Sequence, residues 1–248
     1  MTTASKNAQN YMEKSRILIF VPTNGKDEEA IREKYIDRVG CDASVIVFNN
    51  KQGIGLTKLY NRVLDSLRSS ENTIIVYAHD DLDLFTRNWG KKLLDTFNST
   101  DYAILGVAGN EVFTNTCKWW SYQPAAHGAV MQHDGDRVWI PNLKNEDDDG
   151  VDEVLVVDGL FIAVDPSRVR SRFDESFDKF HFYDITFCLD NVMKGAKIGV
   201  ANWMHLAHDS VGKLNSQWEE GKAKCIKKYG HLFPMAIKSF AVKSQGGE

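Results

Sequence analysis

Short apolar runs alternate with amphipathic segments through the first 110 residues, and this alternation limits the fold more than any other feature of the chain. The apolar runs have the length and β-branched composition of buried strands. The clearest amphipathic segment, from Leu56 to Leu67, keeps apolar residues at i, i+3, i+4 and i+7 spacing. Predicted strands cover 16–21, 43–48, 74–78 and 102–107, and predicted helices cover 27–39, 56–67 and 89–97. Because such strands pair in parallel through right-handed crossovers, the sequence predicts a parallel, doubly wound α/β sheet.

The second half of the chain breaks this rhythm. Residues 111–150 are rich in aromatic and polar side chains and are predicted to form a long excursion over the sheet, with the acidic run 146–149 in a solvated loop. Residues 154–164 are apolar except for Asp158-Gly159, which predicts one kinked strand or two strands that meet at a bend. The remaining predicted elements are a helix at 184–194, a strand at 197–201 and a charged surface helix at 217–229.

Composition excludes several classes of function. The chain has 248 residues, which suits one large α/β domain, and its formal net charge of −4 argues against a general nucleic-acid binder. No apolar run is long enough for a transmembrane segment, and residues 1–15 lack the apolar core of a signal peptide. The four cysteines lack the paired spacing of a zinc site or a disulfide framework. We therefore expect a cytoplasmic protein with a flexible N-terminal tail at 1–15 and a single domain at 16–248.

The predicted strand at 74–78 ends in a histidine and three carboxylates, in the segment His79-Asp80-Asp81-Leu82-Asp83. In an open α/β sheet, ligands bind beyond the carboxyl ends of the strands, which is where this cluster is expected. Three carboxylates so close together repel one another, and hard oxygen ligands favour Mg²⁺ or Mn²⁺ held together with substrate phosphates. A solvated acidic turn is the alternative, and the cluster alone does not decide between the two.

Three further polar signals fall at the ends of predicted elements, namely Asp158-Gly159, Asp184, and the pair His205 and His208. Each also has a structural explanation, since Asp-Gly is common in turns, aspartate often caps a helix, and histidines among apolar residues are often packed in the core. Loops at strand ends nevertheless hold the chemistry of many α/β enzymes. The aromatic residues of the excursion are predicted to pack in a core or interface more often than to stack on a sugar. They are Trp119, Trp120, Tyr122 and Trp139.

In their order and spacing, these motifs resemble those of the GT-A-fold glycosyltransferases, and in particular a stand-alone glycosyltransferase-like family close to family 2. The resemblance covers roughly residues 16–230. The segments that carry it are Val21-Pro22-Thr23-Asn24, Gly55-Leu56 leading to Asn61, His79-Asp80-Asp81, Asp158-Gly159-Leu160-Phe161, Phe180-His181-Phe182-Tyr183-Asp184 and His208-Asp209-Ser210-Val211-Gly212. The family implies an α/β, GT-A-like (Rossmann-like) three-layer sandwich with a mostly parallel mixed central sheet. Residues 16–110 would form its nucleotide-sugar-binding half and residues 111–248 its acceptor-side half.

The resemblance also implies a role for each motif. Asp81 is the best match to the metal-binding carboxylate, followed by Asp83 and Asp80, and His208 rather than His205 would complete a site for Mn²⁺ or Mg²⁺. The other matched positions would bind the nucleotide or the donor sugar. They are Val21, Pro22, Thr23, Asn49, Asn61, Asp80, Asp158 and Gly159.

The implied activity is transfer of a sugar from a nucleotide-diphospho-sugar, with UDP as the expected nucleotide, to a hydroxyl group with inversion of the anomeric carbon. Asp184 matches the catalytic carboxylate that takes the proton of this hydroxyl. The acceptor is a saccharide, a lipid or a protein, and the sequence specifies neither which of these it is nor the oligomeric state.

Two departures from the family pattern leave alternatives open. Thr186 stands where many members have an acidic residue, and Asn49-Asn50 stands where many have an aspartate that binds the base. A non-catalytic protein that binds nucleotides or sugars is therefore one alternative. A sugar-phosphate nucleotidyltransferase is another, although no glycine-rich phosphate loop with a basic residue follows the first predicted strand.

Overall fold

The structure is a computed structural model that describes residues 13–70, 72–128, 130–133, 138–139, 149–210, 212 and 214–238. Its helices are α1 (Glu28–Ile36), α2 (Leu56–Leu67), α3 (Trp89–Ser99), α4 (Tyr183–Val192) and α5 (Ser216–Tyr229). The strands of the first half are β1 (Arg16–Thr23), β2 (Asp42–Asn49), β3 (Thr73–Ala78), β4 (Leu82–Leu84), β5 (Tyr102–Gly106), β6 (Ala108–Asn110) and β7 (Val112–Phe113). The later strands are β8 (Ala126–Gly128), β9 (Val130–His133), β10 (Val138–Trp139), β11 (Val151–Glu153), β12 (Val156–Val157), β13 (Phe161–Val164), β14 (Lys197–Ala201), β15 (Leu206–His208) and β16 (Met235–Ala236).

A seven-stranded sheet in the order β11-β14-β5-β13-β3-β1-β2 forms the centre of the molecule. β1 pairs in parallel with both β2 and β3, and β14 pairs in parallel with β5. β13 lies antiparallel between β3 and β5, and β11 lies antiparallel to β14 at the edge. The predicted α/β class with a mostly parallel mixed sheet is therefore confirmed, and β13 interrupts the purely parallel pattern that the first 110 residues predict.

Helices cover both faces of this sheet, which makes three layers. Alternate residues of a strand face opposite sides of a sheet, so Tyr77 of β3 and Phe161, which pairs with Ala78, point in opposite directions. Tyr60 of α2 packs on Tyr77 with a ring distance of 4.4 Å, whereas Trp89 of α3 packs edge-on against Phe161 at 5.8 Å. α2 and α3 therefore lie on opposite faces, and the buried strand β3 is in the core between them.

The apolar segment 154–164 forms two strands that meet at a bend, which was one of the two predicted forms. β12 pairs with β6 in a three-stranded sheet, whereas β13 enters the central sheet. The bend at Asp158-Gly159 lies beside the end of β3, because the His79 amide donates a hydrogen bond of 2.9 Å to the carbonyl of Leu160.

A four-stranded sheet in the order β10-β9-β15-β4 joins distant parts of the chain at the same end of the central sheet. β15 pairs antiparallel with β4, which aligns His208 with Leu82, and the Asp209 amide donates to the carbonyl of Asp81 at 3.0 Å. His208 also pairs in register with Gln132 of β9. This small sheet brings the late histidine beside the acidic segment that follows β3.

Several predictions need a correction or fall outside the described residues. α1 ends at Ile36 rather than near residue 39, and α5 is not wholly a surface helix because it buries Trp218, Cys225 and Tyr229. Residues 1–12, the acidic run at 146–148 and the side chain of Trp139 lie outside the described part of the structure. The division into two halves at residue 110 stays a prediction. Within the described residues, every helix is too short or too polar to cross a membrane.

Candidate active site

Three side chains with metal-binding atoms meet where β3 ends and where β4 pairs with β15. His79 Nδ1 lies 3.9 Å from Asp81 Oδ1, and His208 Nε2 lies 3.4 Å from the same oxygen. The ligand atoms of all three residues lie within 4.8 Å of one another. We call this group the His79–Asp81–His208 triad.

Hydrogen bonds fix the orientation of both imidazoles. The Tyr183 hydroxyl donates its only hydrogen to the carbonyl of Gly159 at 3.0 Å, so it accepts from His79 Nε2, also at 3.0 Å. His79 Nδ1 then carries a lone pair toward Asp81. His208 Nδ1 lies 3.3 Å from the acceptor Gln132 Oε1, so His208 Nε2 faces Asp81 and also lies 2.9 Å from the Ser210 hydroxyl. Partners of this kind commonly orient metal-binding histidines.

Electrostatic interactions couple the protonation of the three side chains of the triad. Burial lowers the pKa of His79 to about 4, and the nearby charge of His208 adds to this shift, so His79 is neutral at pH 7. Burial raises the pKa of the Asp81 carboxyl, but the contact with His208 and the positive charge of His208 lower it more, and the net shift is downward. Asp81 Oδ1 is buried and accepts no hydrogen bond from the described residues. Burial lowers the pKa of His208, but the neighbouring Asp81 carboxylate raises it more, so a cation at the triad would have to displace a proton from His208. The triad comprises two imidazoles and one charged carboxylate oxygen.

A cavity of about 480 Å³ opens beside the triad at the ends of β1 and β3, and we call it the strand-end cavity. Pro22, Thr23 and Asp80 line it, together with the segment that follows β2. The Asp80 carboxylate accepts hydrogen bonds from the Thr23 hydroxyl at 2.5 Å and from Lys26 Nζ at 2.8 Å. Asp80 therefore ties the end of β1 to the end of β3 and forms part of the floor of this cavity.

A second cavity of about 830 Å³ lies on the other side of the triad, and its walls include described residues from segments 117–123, 158–159, 180–185, 208–210 and 214–218. We call it the aromatic cavity because six aromatic rings line it. They belong to Trp119, Trp120, Phe180, Phe182, Tyr183 and Trp218. The two cavities share three lining residues, His79, Phe180 and Gln217, so they meet at the triad.

Two carboxylates, Asp158 and Asp184, face the aromatic cavity. Asp184 lies in the first turn of α4 and accepts a hydrogen bond of 2.9 Å from the Gly159 amide. Burial raises the pKa of Asp184 to about 7, and the charge of Asp158 contributes to the increase. Burial likewise raises the pKa of Asp158. Asp184 can therefore exist in both protonation states near neutral pH, as a group that transfers protons must.

Residues 26–229 match the model of a family described as "Glycosyltransferase like family". The chain belongs to this glycosyltransferase-like family. The resemblance that the motifs predicted is confirmed by this match, which covers far more than half of the chain, and with it the assignment as a glycosyltransferase.

Solved structures are also similar to this glycosyltransferase-like chain. The crystal structure of A197 from STIV has a TM-score of 0.47 and 10% identity, over 79% of this chain and 86% of that one. The crystal structure of GalNAc-T7 with UDP, GalNAc and Mn²⁺ has a TM-score of 0.47 and 10% identity. That match covers 94% of this chain and 56% of GalNAc-T7. Comparison with curated protein sequences gave no match.

Most of the predicted site residues of this glycosyltransferase-like protein lie at one of the two cavities. Asp81 and His208 belong to the triad. Pro22, Thr23 and Asp80 line the strand-end cavity. The predicted residues that line the aromatic cavity are Asp158, Gly159 and Asp184.

Four predicted residues lie elsewhere. The Asp83 carboxylate is outside the triad and forms an ion pair with Lys34 Nζ at 2.8 Å. Val21 is buried in the core, and Asn49 donates to Glu28 on the surface, so neither lines a cavity.

Asn61 is the fourth of these residues, and it holds a loop rather than a ligand. Its amide nitrogen donates to the Phe173 carbonyl at 2.9 Å and to Glu175 Oε1 at 3.0 Å, and its amide oxygen accepts from the Phe173 amide at 2.9 Å. The amide of Asn61 is therefore occupied in the protein interior, where it is buried. His205, the second choice for the late histidine, is exposed and outside the triad.

Three contributors to the site were missing from the prediction. The sequence motif contains His79 but predicts no ligand role for it, although its position directly after β3 is a usable signal. Tyr183 acts through its hydrogen bond to His79, and Gln217 acts as a shared wall. The hydrogen bond between Tyr183 and His79 joins residues 104 positions apart in the chain, and no local pattern signals it.

Proposed function

We propose that this glycosyltransferase moves a sugar from a nucleotide-diphospho-sugar, with UDP as the nucleotide, to an acceptor hydroxyl, with inversion at the anomeric carbon and with a divalent cation at the His79–Asp81–His208 triad. The observation that carries the proposal is the position of this triad between two cavities, one of which contains the Asp184 carboxylate. The donor would bind in the strand-end cavity and the acceptor in the aromatic cavity.

The residues of the triad fit a divalent cation. Asp81 Oδ1 is buried and accepts no hydrogen bond from the described residues, and two imidazole nitrogens oriented by Tyr183 and Gln132 face it. Imidazole suits transition metals, whereas Mg²⁺ prefers a shell made of oxygen atoms. Two nitrogens and one oxygen therefore favour Mn²⁺ over Mg²⁺.

The chain supplies the remaining chemistry through residues at fixed positions. When bound, the cation would act as a Lewis acid that stabilises the charge of the departing diphosphate. Thr23 and Lys26 hold Asp80 at the floor of the strand-end cavity, where it can accept hydrogen bonds from the nucleoside. Lys51 and Lys179 line the same cavity and provide positive charge near the phosphates.

Asp184 would remove the proton of the acceptor hydroxyl. Its pKa of about 7 suits a general base at neutral pH, and such a base contributes about 10²–10⁴ to the rate. Attack from the aromatic cavity, on the side opposite the diphosphate, accounts for inversion. Thr186 supplies no second carboxylate, because its buried hydroxyl donates to the carbonyl of Phe182 at 2.8 Å.

Two matched variants test the cation site. Asp81→Ala should strongly weaken Mn²⁺-dependent binding of UDP, because it removes the only carboxylate of the triad. Loss of a residue that only orients a metal ligand costs roughly 10–100-fold in affinity, and loss of a ligand itself should cost more. Asp83→Ala removes a carboxylate two positions away that pairs with Lys34, and it should leave this binding unchanged. Titration calorimetry with and without Mn²⁺ measures both. Equal losses in the two variants, or a loss in Asp83→Ala alone, would refute the assignment.

A panel of nucleotide sugars with Mn²⁺ tests the reaction itself. Release of a nucleoside diphosphate, faster with an acceptor present, is expected. Formation of a nucleotide sugar from a nucleoside triphosphate and a sugar phosphate would instead identify a nucleotidyltransferase. Tight binding of nucleotide sugars without any release would identify a non-catalytic binding protein.

A further inference from the structure

The aromatic cavity has an unusual combination of side chains that bears on what it binds. Besides its six aromatic rings, it is lined by four side-chain amides and by two carboxylates. The amides belong to Gln123, Gln132, Asn215 and Gln217. Among the described residues that line this cavity, none is lysine or arginine. Lys213 lies outside the described residues.

Two rings present free faces to the cavity. Trp120 is 39% exposed and rests edge-on against the buried Trp119, with 5.9 Å between the ring centroids. Phe180 is 56% exposed and lies 5.3 Å from the ring of His79, next to the triad. The π-face of an aromatic ring carries partial negative charge and attracts the weakly positive C–H groups on the face of a sugar ring. The cavity therefore offers stacking surfaces both at its outer wall and beside the reaction centre.

The amides retain atoms for hydrogen bonds with a ligand. Gln123 uses its nitrogen to hold the Trp120 carbonyl at 2.7 Å, which leaves its oxygen available. Gln132 uses its oxygen on His208, which leaves its nitrogen available. Gln217 makes no side-chain hydrogen bond to the described residues and is exposed between the two cavities. Donors and acceptors side by side suit hydroxyl groups, which both donate and accept.

The charge of the cavity disfavours an anionic acceptor. When Asp184 is ionised, as the proposed base must be, it places negative charge in the wall and repels a phosphate, sulfate or carboxylate brought beside it. His208 also lines the cavity, but its Nε2 already pairs with Asp81 at 3.4 Å. Lys118 and Lys222 are nearby cations that do not line the cavity. Their Nζ atoms lie 5.5 and 5.4 Å from the centroid of the Trp218 ring. A lipid chain would also fit poorly, because it would bury the amides and carboxylates without hydrogen bonds.

We infer that the acceptor is a neutral saccharide, stacked on Trp120 and bound through its hydroxyls to the amides, with one hydroxyl turned toward Asp184. This inference rests on the proposed function, because it names the acceptor of the same reaction. A cavity of about 830 Å³ lies near the upper end of the range of about 300–1,000 Å³ found for small-molecule sites. The recognised part of the acceptor is then a carbohydrate rather than a charged group, an alkyl chain or a peptide.

Binding of the labelled full-length protein to a glycan array, with UDP and Mn²⁺ present, tests this inference. The array carries neutral oligosaccharides and their phosphorylated, sulfated and sialylated counterparts, with serine- and threonine-rich peptides and neutral-lipid vesicles assayed in parallel. Neutral glycans should bind best, and a neutral glycan that binds should also accept a sugar. Preference for an anionic counterpart, a peptide or a vesicle overturns the inference, and so does the absence of binding to every neutral glycan.

Matched variants separate stacking from general damage. Trp120→Ala should weaken binding of the preferred neutral glycan several-fold to about tenfold, whereas Trp120→Phe should restore most of it. Tyr122→Ala is the control, since Tyr122 is 49% exposed, lies two residues away and does not line the cavity. Equal affinity of the wild type and Trp120→Ala for the glycan overturns the inference.

Nucleotide binding distinguishes failure of this inference from failure of the proposed function. Mn²⁺-dependent binding of UDP by the wild type supports the donor site whatever the array shows. Donor binding with a preference for anionic or lipid acceptors overturns only the neutral-saccharide inference. Loss of both donor binding and glycan binding overturns the proposed function as well.

Discussion

Asp184 is the residue whose surroundings matter most for the proposed reaction. Its carboxylate accepts a hydrogen bond from the Gly159 amide, yet burial and the neighbouring Asp158 raise its pKa to about 7. A carboxyl group in water has a pKa near 4, and at that value it is a weak base. The position at the wall of the aromatic cavity therefore makes Asp184 a stronger base that is still partly ionised at neutral pH.

The pH dependence of turnover follows from this shift. A general base must be ionised to accept a proton, so kcat/KM should fall as the pH drops below about 7 and should level off above it. Asp184→Asn should lower kcat by about 10²–10⁴ and remove this dependence, while nucleotide binding stays intact. Initial rates from pH 5 to 9 and titration calorimetry measure the two effects. An Asp184→Asn variant that no longer binds the nucleotide would instead place Asp184 in the donor site.

At the scale of elements, the start of α4 is joined to the ends of two strands. Phe182, the residue before α4, has a φ of 68°, in the left-handed region that non-glycine residues rarely adopt. This turn places the Tyr183 hydroxyl between His79 and Gly159. A Cβ atom at Gly159 would lie 2.4 Å from that hydroxyl, so glycine is required there. α4 therefore fixes the position of the proposed base, Asp184, and the orientation of His79 in the triad.

Tyr183→Phe tests this connection. The variant keeps the ring but loses the acceptor that holds His79 Nε2–H, so Mn²⁺ should bind roughly 10–100-fold more weakly. Tyr77→Phe is a matched control, because it also loses a buried hydrogen bond to a backbone carbonyl, that of Tyr60, without touching the triad. Electron paramagnetic resonance titration of Mn²⁺ measures both affinities. An unchanged affinity in Tyr183→Phe, or an equal loss in Tyr77→Phe, would contradict this role of α4.

The accuracy of prediction also differs between elements. α2 and β14 have the predicted bounds, because periodicity and end signals within each segment define them. Such local signals do not predict that β13 lies between β3 and β5, because strand order depends on pairing between distant segments. The same distinction between local and long-range signals applies to the residues of the candidate site. Asp81 could be predicted from the strand it follows, whereas the ion pair of Asp83 with Lys34 of α1 joins separate segments of the chain and has no local signal.

At the scale of the whole molecule, a buried histidine attaches the excursion to the edge of the central sheet. His127 of β8 lies between two carboxylates, with Nε2 at 2.7 Å from Glu111 and Nδ1 at 2.6 Å from Asp152 of β11. Asn202 also donates to Asp152, at 2.8 Å. This cluster connects the segment that carries Trp120 to the sheet.

Substitution of His127 should lower the free energy of unfolding. His127→Ala leaves two carboxylates facing each other, and because both are about one-third exposed we expect a loss of about 1–3 kcal/mol, less than for a fully buried pair. His205→Ala, at an exposed histidine, should change the free energy of unfolding by less than about 0.5 kcal/mol. Urea denaturation measures both values. A neutral His127→Ala variant would show that the cluster does not support the excursion.

The two adjoining cavities have walls of different origin. The strand-end cavity lies at the carboxyl ends of β1 and β3, whose pairing the central sheet fixes, whereas the aromatic cavity is walled mainly by connecting segments that tolerate substitution and changes in length. Under the proposed function, the identity of the glycosylated molecule can change during evolution through these segments alone. The nucleotide-sugar donor and the type of reaction would stay the same while the acceptor changes.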